Sequence, residues 1–381
     1  MAGQKIFFAI NSMGKGGAER VVSVLSRYFA RDGAEVVVAT QWHAKEEYTL
    51  ANSIRRISVG VTKEDEEKGR LYCAVKRLIN LRSCIKKEKP DIVISFCNKT
   101  NFRCAYSMIG LGIPLLVSVR NDPKRDYAPY RYATKWMEKK AAGCVFQTFQ
   151  AQAFFSPDFQ KKSRIIFNPL SEQYMELASE QEKGNNLQEE KDTGRRIINI
   201  GRITAQKNQL LLLRAFARIH EKYPDVKIQI YGEDGERDVK EKMERFLAEN
   251  GLEKQVRFMG TYDRPEQHFG GDALFVLSSD YEGMSNALME AMALGLPVIS
   301  TDCPCGGAAM LIENDISGLL VPVGDEEALA EAMDNLLMDD MRARRLGKNA
   351  RQIINKVSPE KIYQEWKIYV DELIETGNGN I

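Results

Sequence analysis

The sequence of 381 residues lacks an apolar run long enough to cross a bilayer, which takes roughly 18 to 20 residues. The nearest candidate, 104–119, is interrupted by Gly110, Gly112 and Pro114, and is typical of a helix end, a turn and a strand. Too few residues precede the first strand to form a signal peptide. We therefore expect a soluble or peripheral cytoplasmic protein, in the peripheral case at the inner face of the plasma membrane.

Cysteine pairs and histidines are also scarce. The seven cysteines are odd in number, and their spacing is not that of a zinc site. Only three histidines occur, His43, His220 and His268. We expect reduced thiols, no metal ion and no cofactor.

Charge is nearly balanced over the whole chain, at +1, but it is unevenly distributed. Residues 1–168 contain 29 Lys and Arg against 15 Asp and Glu, whereas residues 169–381 contain 25 against 38. Two basic stretches, 76–89 and 124–140, also contain apolar or aromatic residues, as lipid interfaces do. They indicate peripheral association with an anionic membrane, with an ordinary solvated basic surface as the alternative. We expect no nucleic-acid partner.

Strand-like apolar segments alternate with helical patterns in both halves, which is typical of parallel sheets covered on both faces. The length favours two domains. We therefore predict an α/β protein with doubly wound, Rossmann-like domains at 1–170 and 196–357. The charged segment 171–195 is expected to be a linker or an insertion. Open parallel sheets bind ligands at the carboxyl ends of their strands, so a cleft between the domains is the expected active site.

The most informative stretch follows the apolar run 273–277, which predicts a buried strand. Residues 278–285 then predict a loop, and 287–294 a helix closed by a glycine and a proline. Glu282 is thus placed before the helix and Glu290 inside it. Two fixed carboxylates can accept hydrogen bonds from the hydroxyl groups of a sugar.

The start of this helix favours an anion. Backbone amides in the first turn lack helical partners and carry the positive end of the helix dipole. We expect these amides, from Met284, Ser285 and Asn286, to bind a diphosphate. Hydroxyls and a diphosphate together describe a sugar nucleotide.

A second pattern, Gly-Arg-x4-Lys-Asn at 201–208, follows another strand end. Arg202 can donate two hydrogen bonds to a phosphate, and Lys207 adds a point charge near the next helix. Isolated residues of this kind are usually solvated surface charges.

Together these stretches resemble retaining glycosyltransferases of family 4, which have the GT-B fold. Segment 282–298 resembles their Glu-x7-Glu signature, and 201–208 is similar to their diphosphate-binding loop. The resemblance implies two domains facing each other across a cleft, with the final helix, 358–381, packed back on the first domain.

The resemblance also implies roles for particular residues. Glu282 would contact hydroxyls of the transferred sugar, and Glu290 would bind the ribose hydroxyls. Arg202 and Lys207 would hold the diphosphate, so that catalysis would involve Glu282, Arg202 and Lys207 without a metal ion. Departure and attack would occur on one face of the sugar, with the leaving phosphate helping to deprotonate the acceptor.

The glycine-rich loop 11–20 follows the first strand. It lacks the Gly-Lys-Ser/Thr ending of a phosphate-binding NTPase loop, and Glu19 stands where a dinucleotide-binding motif has its last glycine. The loop resembles the family's first-domain loop near the donor phosphates, so Gly16 and Gly17 are predicted to bind the donor.

Arg120 and Asn121 follow a strand at a place where many family members have a histidine. Either residue is a candidate to contact an acceptor phosphate or hydroxyl, while a structural strand-end arginine is the alternative.

We therefore expect a retaining, metal-independent glycosyltransferase. It would transfer a hexose or N-acetylhexosamine, with a UDP-sugar as the expected donor, to a glycan or a polyprenyl-diphosphate-linked acceptor. The resemblance is to enzymes of capsule, O-antigen and related surface polysaccharides. Two alternatives remain open: a nucleotide-sugar epimerase or hydrolase of the same fold, and a non-catalytic carbohydrate-binding protein.

Overall fold

The computed structural model describes residues 3–182, 195–261 and 273–378. The chain divides into two compact units. The first unit contains Met1–Pro169 and Pro359–Ile381, and the second contains Leu170–Ser358. Each unit has its own parallel sheet.

The sheet of the first unit has the strand order β3-β2-β1-β4-β5-β6-β7. Its strands are β1 (Lys5–Ile10), β2 (Glu35–Thr40), β3 (Arg55–Ser58), β4 (Ile92–Phe96), β5 (Leu115–Ser118), β6 (Gly143–Phe146) and β7 (Ser163–Ile165). Central strands such as β4 are buried throughout, because helices cover both faces of a parallel sheet. The edge strand β3 escaped prediction since its Arg55 and Arg56 give it no apolar run.

Helices connect these strands. Those before the second unit are α1 (Gly17–Arg31), α2 (Lys63–Glu67), α3 (Arg70–Glu88), α4 (Asn98–Ser107), α5 (Pro123–Asp126), α6 (Arg131–Lys140), α7 (Phe149–Ala153) and α8 (Pro157–Lys161). Helix α1 buries Val21, Val22 and Leu25 against the sheet, so its apolar side faces the core.

The sheet of the second unit has the order β10-β9-β8-β11-β12-β13, the strand order of a dinucleotide-binding fold. Its strands are β8 (Arg196–Ile200), β9 (Lys227–Tyr231), β10 (Val256–Gly260), β11 (Ala273–Leu277), β12 (Val298–Thr301) and β13 (Leu319–Val321). Its helices are α9 (Glu172–Glu182), α10 (Gln209–Ala217), α11 (Arg237–Glu249), α12 (Asn286–Ala293), α13 (Gly307–Leu311), α14 (Glu326–Met338), α15 (Asp340–Ala350) and α16 (Ile354–Val357). Both sheets agree with the predicted α/β class.

The segment 171–195, expected to be a linker or insertion, begins with helix α9 instead. Tyr174 and Ala178, one helical turn apart, are buried, and α9 packs against α12. The abundance of charged residues concealed this short apolar side. Residues 183–194 lie outside the described residues.

The final helix, α17 (Pro359–Asn378), belongs to the first unit. Trp366 is fully buried and stacks on Phe96 of β4, with ring centroids 5.8 Å apart. The Tyr369 hydroxyl accepts a hydrogen bond from the Cys144 amide at 3.1 Å and donates one to the Lys162 carbonyl at 2.5 Å. Both contacts fasten the end of the chain to the sheet of the first unit.

Within the described ranges, no helix is long and apolar enough to cross a membrane.

Candidate active site

The predicted strand, loop and helix around Glu282 are present in the second unit. Strand β11 ends at Leu277, and α12 begins at Asn286, one residue earlier than expected. Ser285 caps the helix, since its hydroxyl accepts a hydrogen bond from the Leu288 amide at 3.4 Å. Gly295, with φ of +73°, follows the helix in the left-handed region that favours glycine. Glu282 therefore lies at the carboxyl edge of the sheet.

Lys207 and Glu282 form an ion pair although 75 residues separate them in sequence. The ammonium of Lys207 contacts the Oε1 atom of Glu282. Their side chains are 19% and 12% exposed, so the pair is largely shielded from water. The structure thus brings together two of the three residues predicted to be catalytic.

Further hydrogen bonds join the loops that contain this pair. The Asp280 amide donates to the Gln206 carbonyl at 2.9 Å, and the Asn208 side-chain amide donates to Asp280 Oδ1 at 2.7 Å. The Gln206 side-chain amide donates to the Tyr281 carbonyl at 3.0 Å. These three bonds join residues 206–208 to residues 280–281, so the two loops are held together as one element.

Ser279 also holds Glu282 in place, which the sequence analysis did not predict. Its hydroxyl donates to Glu282 Oε1 at 2.8 Å. The Ser279 carbonyl in turn accepts hydrogen bonds from Thr301 Oγ1 at 2.5 Å and from the Cys303 thiol at 3.2 Å. Burial raises the pKa of Cys303 to about 12, so this thiol remains protonated and can donate. The only sequence signal was a hydroxyl residue at a strand end, which is common in many proteins.

Glu290 lies inside α12 and is only 3% exposed. Its neighbours Leu288, Met289 and Ala291 are buried as well. The structure therefore places this carboxylate on the covered part of the helix, one helical turn beyond the N-terminus.

Arg202 lies in the loop of Lys207, after β8, and its side chain is exposed. The Gly201 amide donates to the Tyr231 carbonyl at 2.8 Å, which continues the pairing of β8 and β9. A side chain on Gly232 would overlap the Gly201 carbonyl, so this crossing of the two loops requires glycine. Among the described residues, the Arg202 side chain forms no hydrogen bond or ion pair with Lys207 or Glu282.

The glycine loop belongs to the first unit. Gly17 is the first residue of α1, and Gly16 is its N-cap without a side-chain cap. The carboxylate of Glu19 folds back against Gly16 and lies where a side chain of that residue would be. An acidic side chain at this end of a helix is favoured by the helix dipole.

Arg120 has packing partners in the first unit. Its guanidinium lies 5.0 Å from the ring centroid of Phe96 and 5.4 Å from that of Trp366. It also donates to Asn168 Oδ1 at 2.8 Å. Burial lowers the pKa of Arg120 to about 10. These contacts favour the structural alternative. Burial raises the pKa of the Asp126 carboxyl, and the neighbouring Asn121 side chain partly opposes this rise.

The histidines are dispersed. His43 lies 3.4 Å from Glu47, and His220 contacts the Ala217 carbonyl at 2.8 Å. His268 lies outside the described residues. In the part of the chain that the structure describes, no three His, Cys, Asp or Glu side chains are grouped to hold a metal ion.

Two family models match the two halves of the chain. The model of Glycosyltransferase Family 4 matches residues 15–168. The model of Glycosyl transferases group 1 matches residues 180–353.

Similar proteins span most of the chain. The GalNAc-α-(1→4)-GalNAc-α-(1→3)-diNAcBac-PP-undecaprenol α-1,4-N-acetyl-D-galactosaminyltransferase of Campylobacter jejuni is 25% identical, over 97% of this chain and 99% of that protein. An uncharacterized glycosyltransferase of Methanocaldococcus jannaschii is 28% identical, over 79% of this chain and 84% of that protein.

Among solved structures, Anabaena HepE in complex with UDP and glucose superposes with a TM-score of 0.79 at 18% identity, covering 97% of this chain and 99% of that one. Sucrose-phosphate synthase from Thermosynechococcus elongatus superposes with a TM-score of 0.77 at 19% identity, covering 98% of this chain and 100% of that one. These likenesses identify the fold. The chain belongs to the glycosyltransferases, with a family 4 first half and a group 1 second half, and it has the GT-B fold.

Proposed function

We propose that the chain is a retaining glycosyltransferase that transfers a hexose or N-acetylhexosamine from a UDP-sugar. The observation behind this proposal is the contact between Lys207 and Glu282. It brings the residue predicted to bind the diphosphate next to the residue predicted to bind the sugar. UDP as donor is supported by HepE, a solved neighbour that contains UDP and glucose.

The ion pair suggests how the donor is received. Lys207 and Glu282 neutralise each other in a partly buried position. A bound diphosphate would draw the ammonium of Lys207, and the freed Glu282 carboxylate would accept hydrogen bonds from sugar hydroxyls. Ser279 would keep Glu282 oriented during this exchange, because its hydroxyl already donates to the same oxygen.

The remaining predicted residues supply charge and ribose contacts. Arg202 is exposed, so its guanidinium is available to approach the diphosphate from the same loop as Lys207. Stabilising negative charge on the leaving group is the main electrostatic demand of this reaction. We assign Glu290 to the ribose, and the helix start at Met284, Ser285 and Asn286 to the diphosphate. Gly16 and Gly17 are assigned to the donor from the first unit.

In the proposed reaction the acceptor oxygen forms a bond to the anomeric carbon while the bond from that carbon to the UDP oxygen breaks. The acceptor proton passes to an oxygen of the departing phosphate. Both events occur on one face of the sugar, so the anomeric configuration is retained. Since Arg202 and Lys207 provide the cationic charge, neither a metal ion nor a cofactor is needed.

The proposed acceptor is a glycan linked to polyprenyl diphosphate, in the synthesis of a surface polysaccharide or glycoconjugate. The name of the Campylobacter jejuni relative specifies such an acceptor, a glycan joined to undecaprenol through PP. Capsule and O-antigen are the classes of product that fit this acceptor.

The experiment begins with thermal shifts in UDP, GDP and ADP. We expect UDP to raise the melting temperature most, because binding to the folded state stabilises it. Labelled UDP-sugars are then tested with diphosphate-linked and simple alkyl glycoside acceptors. Release of free sugar with no transfer to any acceptor would show that the protein is a hydrolase. UDP binding without turnover would show that it is a non-catalytic carbohydrate-binding protein.

We also propose that the first unit docks on an anionic membrane at the cytoplasmic face. Helix α3 exposes four large apolar side chains, here called the outer stripe: Leu71 (81% exposed), Tyr72 (39%), Val75 (48%) and Ile79 (52%). Leu71, Val75 and Ile79 recur every four residues and so share one side of the helix. The surrounding half of the sequence is strongly basic, which complements anionic lipid.

A further inference from the structure

A short segment of the first unit packs along the glycine loop. Residues 43–48, here called the strap, lie between β2 and β3 and belong to no helix or strand. The Tyr48 amide donates to the Met13 carbonyl at 2.7 Å, and Glu47 pairs with Gly14 as an isolated antiparallel bridge. These backbone contacts come just before the two glycines that we assign to the donor.

Side chains also join the strap to the glycine loop. Arg20, in the first turns of α1, donates from its Nε atom to the Tyr48 hydroxyl at 3.1 Å. A Cβ atom on Gly14 would lie 3.2 Å from the Cβ atom of Ala44, which is closer than side chains usually approach. The strap therefore packs tightly against the loop and also contacts the helix that follows it.

The strap is in turn anchored to the edge strand β3. Arg56 donates to both carboxylate oxygens of Glu47, from Nη1 at 2.5 Å and from Nη2 at 3.0 Å. Their side chains are only 22% and 18% exposed, and two parallel charge-assisted bonds fix the geometry of such a pair. The Arg56 Nε atom also donates to Thr40 at the end of β2, at 3.1 Å. One guanidinium thus ties the strap to two strands.

The two arginines of β3 have different partners. Arg55 pairs with Glu88, which lies away from the strap on α3, whereas Arg56 pairs with Glu47 of the strap. Charged side chains on an edge strand often serve only to discourage pairing with another chain. The bidentate contact gives Arg56 a more specific task, which is to hold the strap.

We propose that Arg56, acting through Glu47, is a positioning residue that keeps the glycine loop in the conformation that binds the donor. This proposal rests on the proposed function, in which Gly16 and Gly17 contact the donor. The sequence Ser-Met-Gly-Lys-Gly-Gly is rich in glycine, which loses more conformational freedom on ordering than any other residue. Contacts from the strap fix this loop in advance, so donor binding does not have to order it.

The first test is the kinetics of Arg56→Gln in the full chain. Apparent affinity falls in proportion to the fraction of molecules with a competent loop, so we expect the KM for the UDP-sugar to rise roughly 3- to 10-fold. The kcat and the KM for the acceptor should stay within about twofold, because saturating donor selects the competent loop. An unchanged KM for the donor would overturn the proposal.

Arg55→Gln is the matched control. It removes the same kind of side chain from the neighbouring position of the same strand, and Lys5 still lies 3.5 Å from the Glu88 carboxylate. Its KM for the donor should equal that of the natural chain, even if its melting temperature is lower. An equal rise of this KM in both arginine variants would indicate a general loss of stability and would contradict positioning by Arg56.

A double variant tests whether Arg56 acts through Glu47. Glutamine at position 47 keeps an oxygen that can accept the hydrogen bond of the Ala44 amide, which is 2.7 Å long in the natural chain. Arg56→Gln combined with Glu47→Gln should have the same KM for the donor as Arg56→Gln alone, because residues that act together are not additive. Effects that multiply would show that the two residues act separately. If Arg56→Gln does not fold, Glu47→Gln takes its place.

Hydrogen exchange reports on the loop without any donor. We expect Arg56→Gln, but not Arg55→Gln, to speed exchange of the Tyr48 amide, which is bonded to Met13. Unchanged exchange, or faster exchange with an unchanged KM for the donor, would overturn the proposal. If the natural chain does not bind UDP in a calorimeter, the donor proposal fails instead, and exchange still decides whether Arg56 holds the loop.

Discussion

At the scale of single residues, the pair of Lys207 and Glu282 concentrates two opposite charges in a partly buried position. We predict that Lys207→Ala and Glu282→Gln each lower kcat by roughly 100- to 1000-fold, the cost of removing one group that stabilises developing charge. The measurement is transfer of labelled sugar under saturating donor and acceptor.

The control for this prediction is Lys222→Ala. Lys222 is also ion-paired in the second unit, with Asp334 at 2.7 Å, but it is half exposed and outside the proposed site. Its replacement should leave kcat within twofold. Near-normal turnover in either Lys207→Ala or Glu282→Gln would remove these residues from the reaction.

At the scale of an element, the outer stripe of α3 is exposed, and its side chains contribute little to the folded core. We predict that replacing Leu71, Val75 and Ile79 together by serine weakens binding to anionic vesicles at least about tenfold, because apolar area no longer enters the lipid. The melting temperature should change little. Vesicle flotation measures the binding.

Two exposed methionines of the second unit provide the comparison. Met338→Ser with Met341→Ser removes a similar kind of exposed apolar surface, at 65% and 80% exposure. If this pair weakens vesicle binding as much as the triple serine variant does, α3 has no special part in docking.

The final helix allows a second prediction at this scale. Trp366 is fully buried and stacks on Phe96, so Trp366→Ala should lower the free energy of unfolding by about 3–5 kcal/mol. Ile368→Ala, at a half-exposed position of the same helix, should cost about 0.5 kcal/mol or less. Both free energies are measured by urea unfolding of the full chain, monitored by far-UV circular dichroism, which does not depend on the tryptophan signal. Equal losses of unfolding free energy in the two variants would mean that α17 is not anchored through Trp366.

At the scale of the whole molecule, the proposed reaction draws its cationic charge from side chains. We predict that dialysis against EDTA lowers the rate of transfer by less than twofold, and that added Mg²⁺ or Mn²⁺ does not raise it further. A loss of activity with EDTA that Mn²⁺ restores would show that the enzyme depends on a metal ion, and it would reassign the charge now given to Arg202 and Lys207.

Much of the fold was predictable because its signals are local. The apolar run at 273–277 predicted β11 with the same limits, since buried parallel strands have few polar residues. Strand β3 and helix α9 were missed for the opposite reason. In both, polar and charged residues together outnumber the apolar ones, and only packing reveals which side is covered.

The sequence by itself determined the α/β class and the family, because spaced glutamates, glycines and apolar runs are patterns that each segment carries alone. Only the tertiary structure decided which side chains meet. Lys207 contacts Glu282 across 75 residues, Ser279 holds the same carboxylate, and Arg103 of α4 donates a hydrogen bond to Asn11 after β1. Such contacts depend on strand order and helix packing, and no local periodicity contains that information.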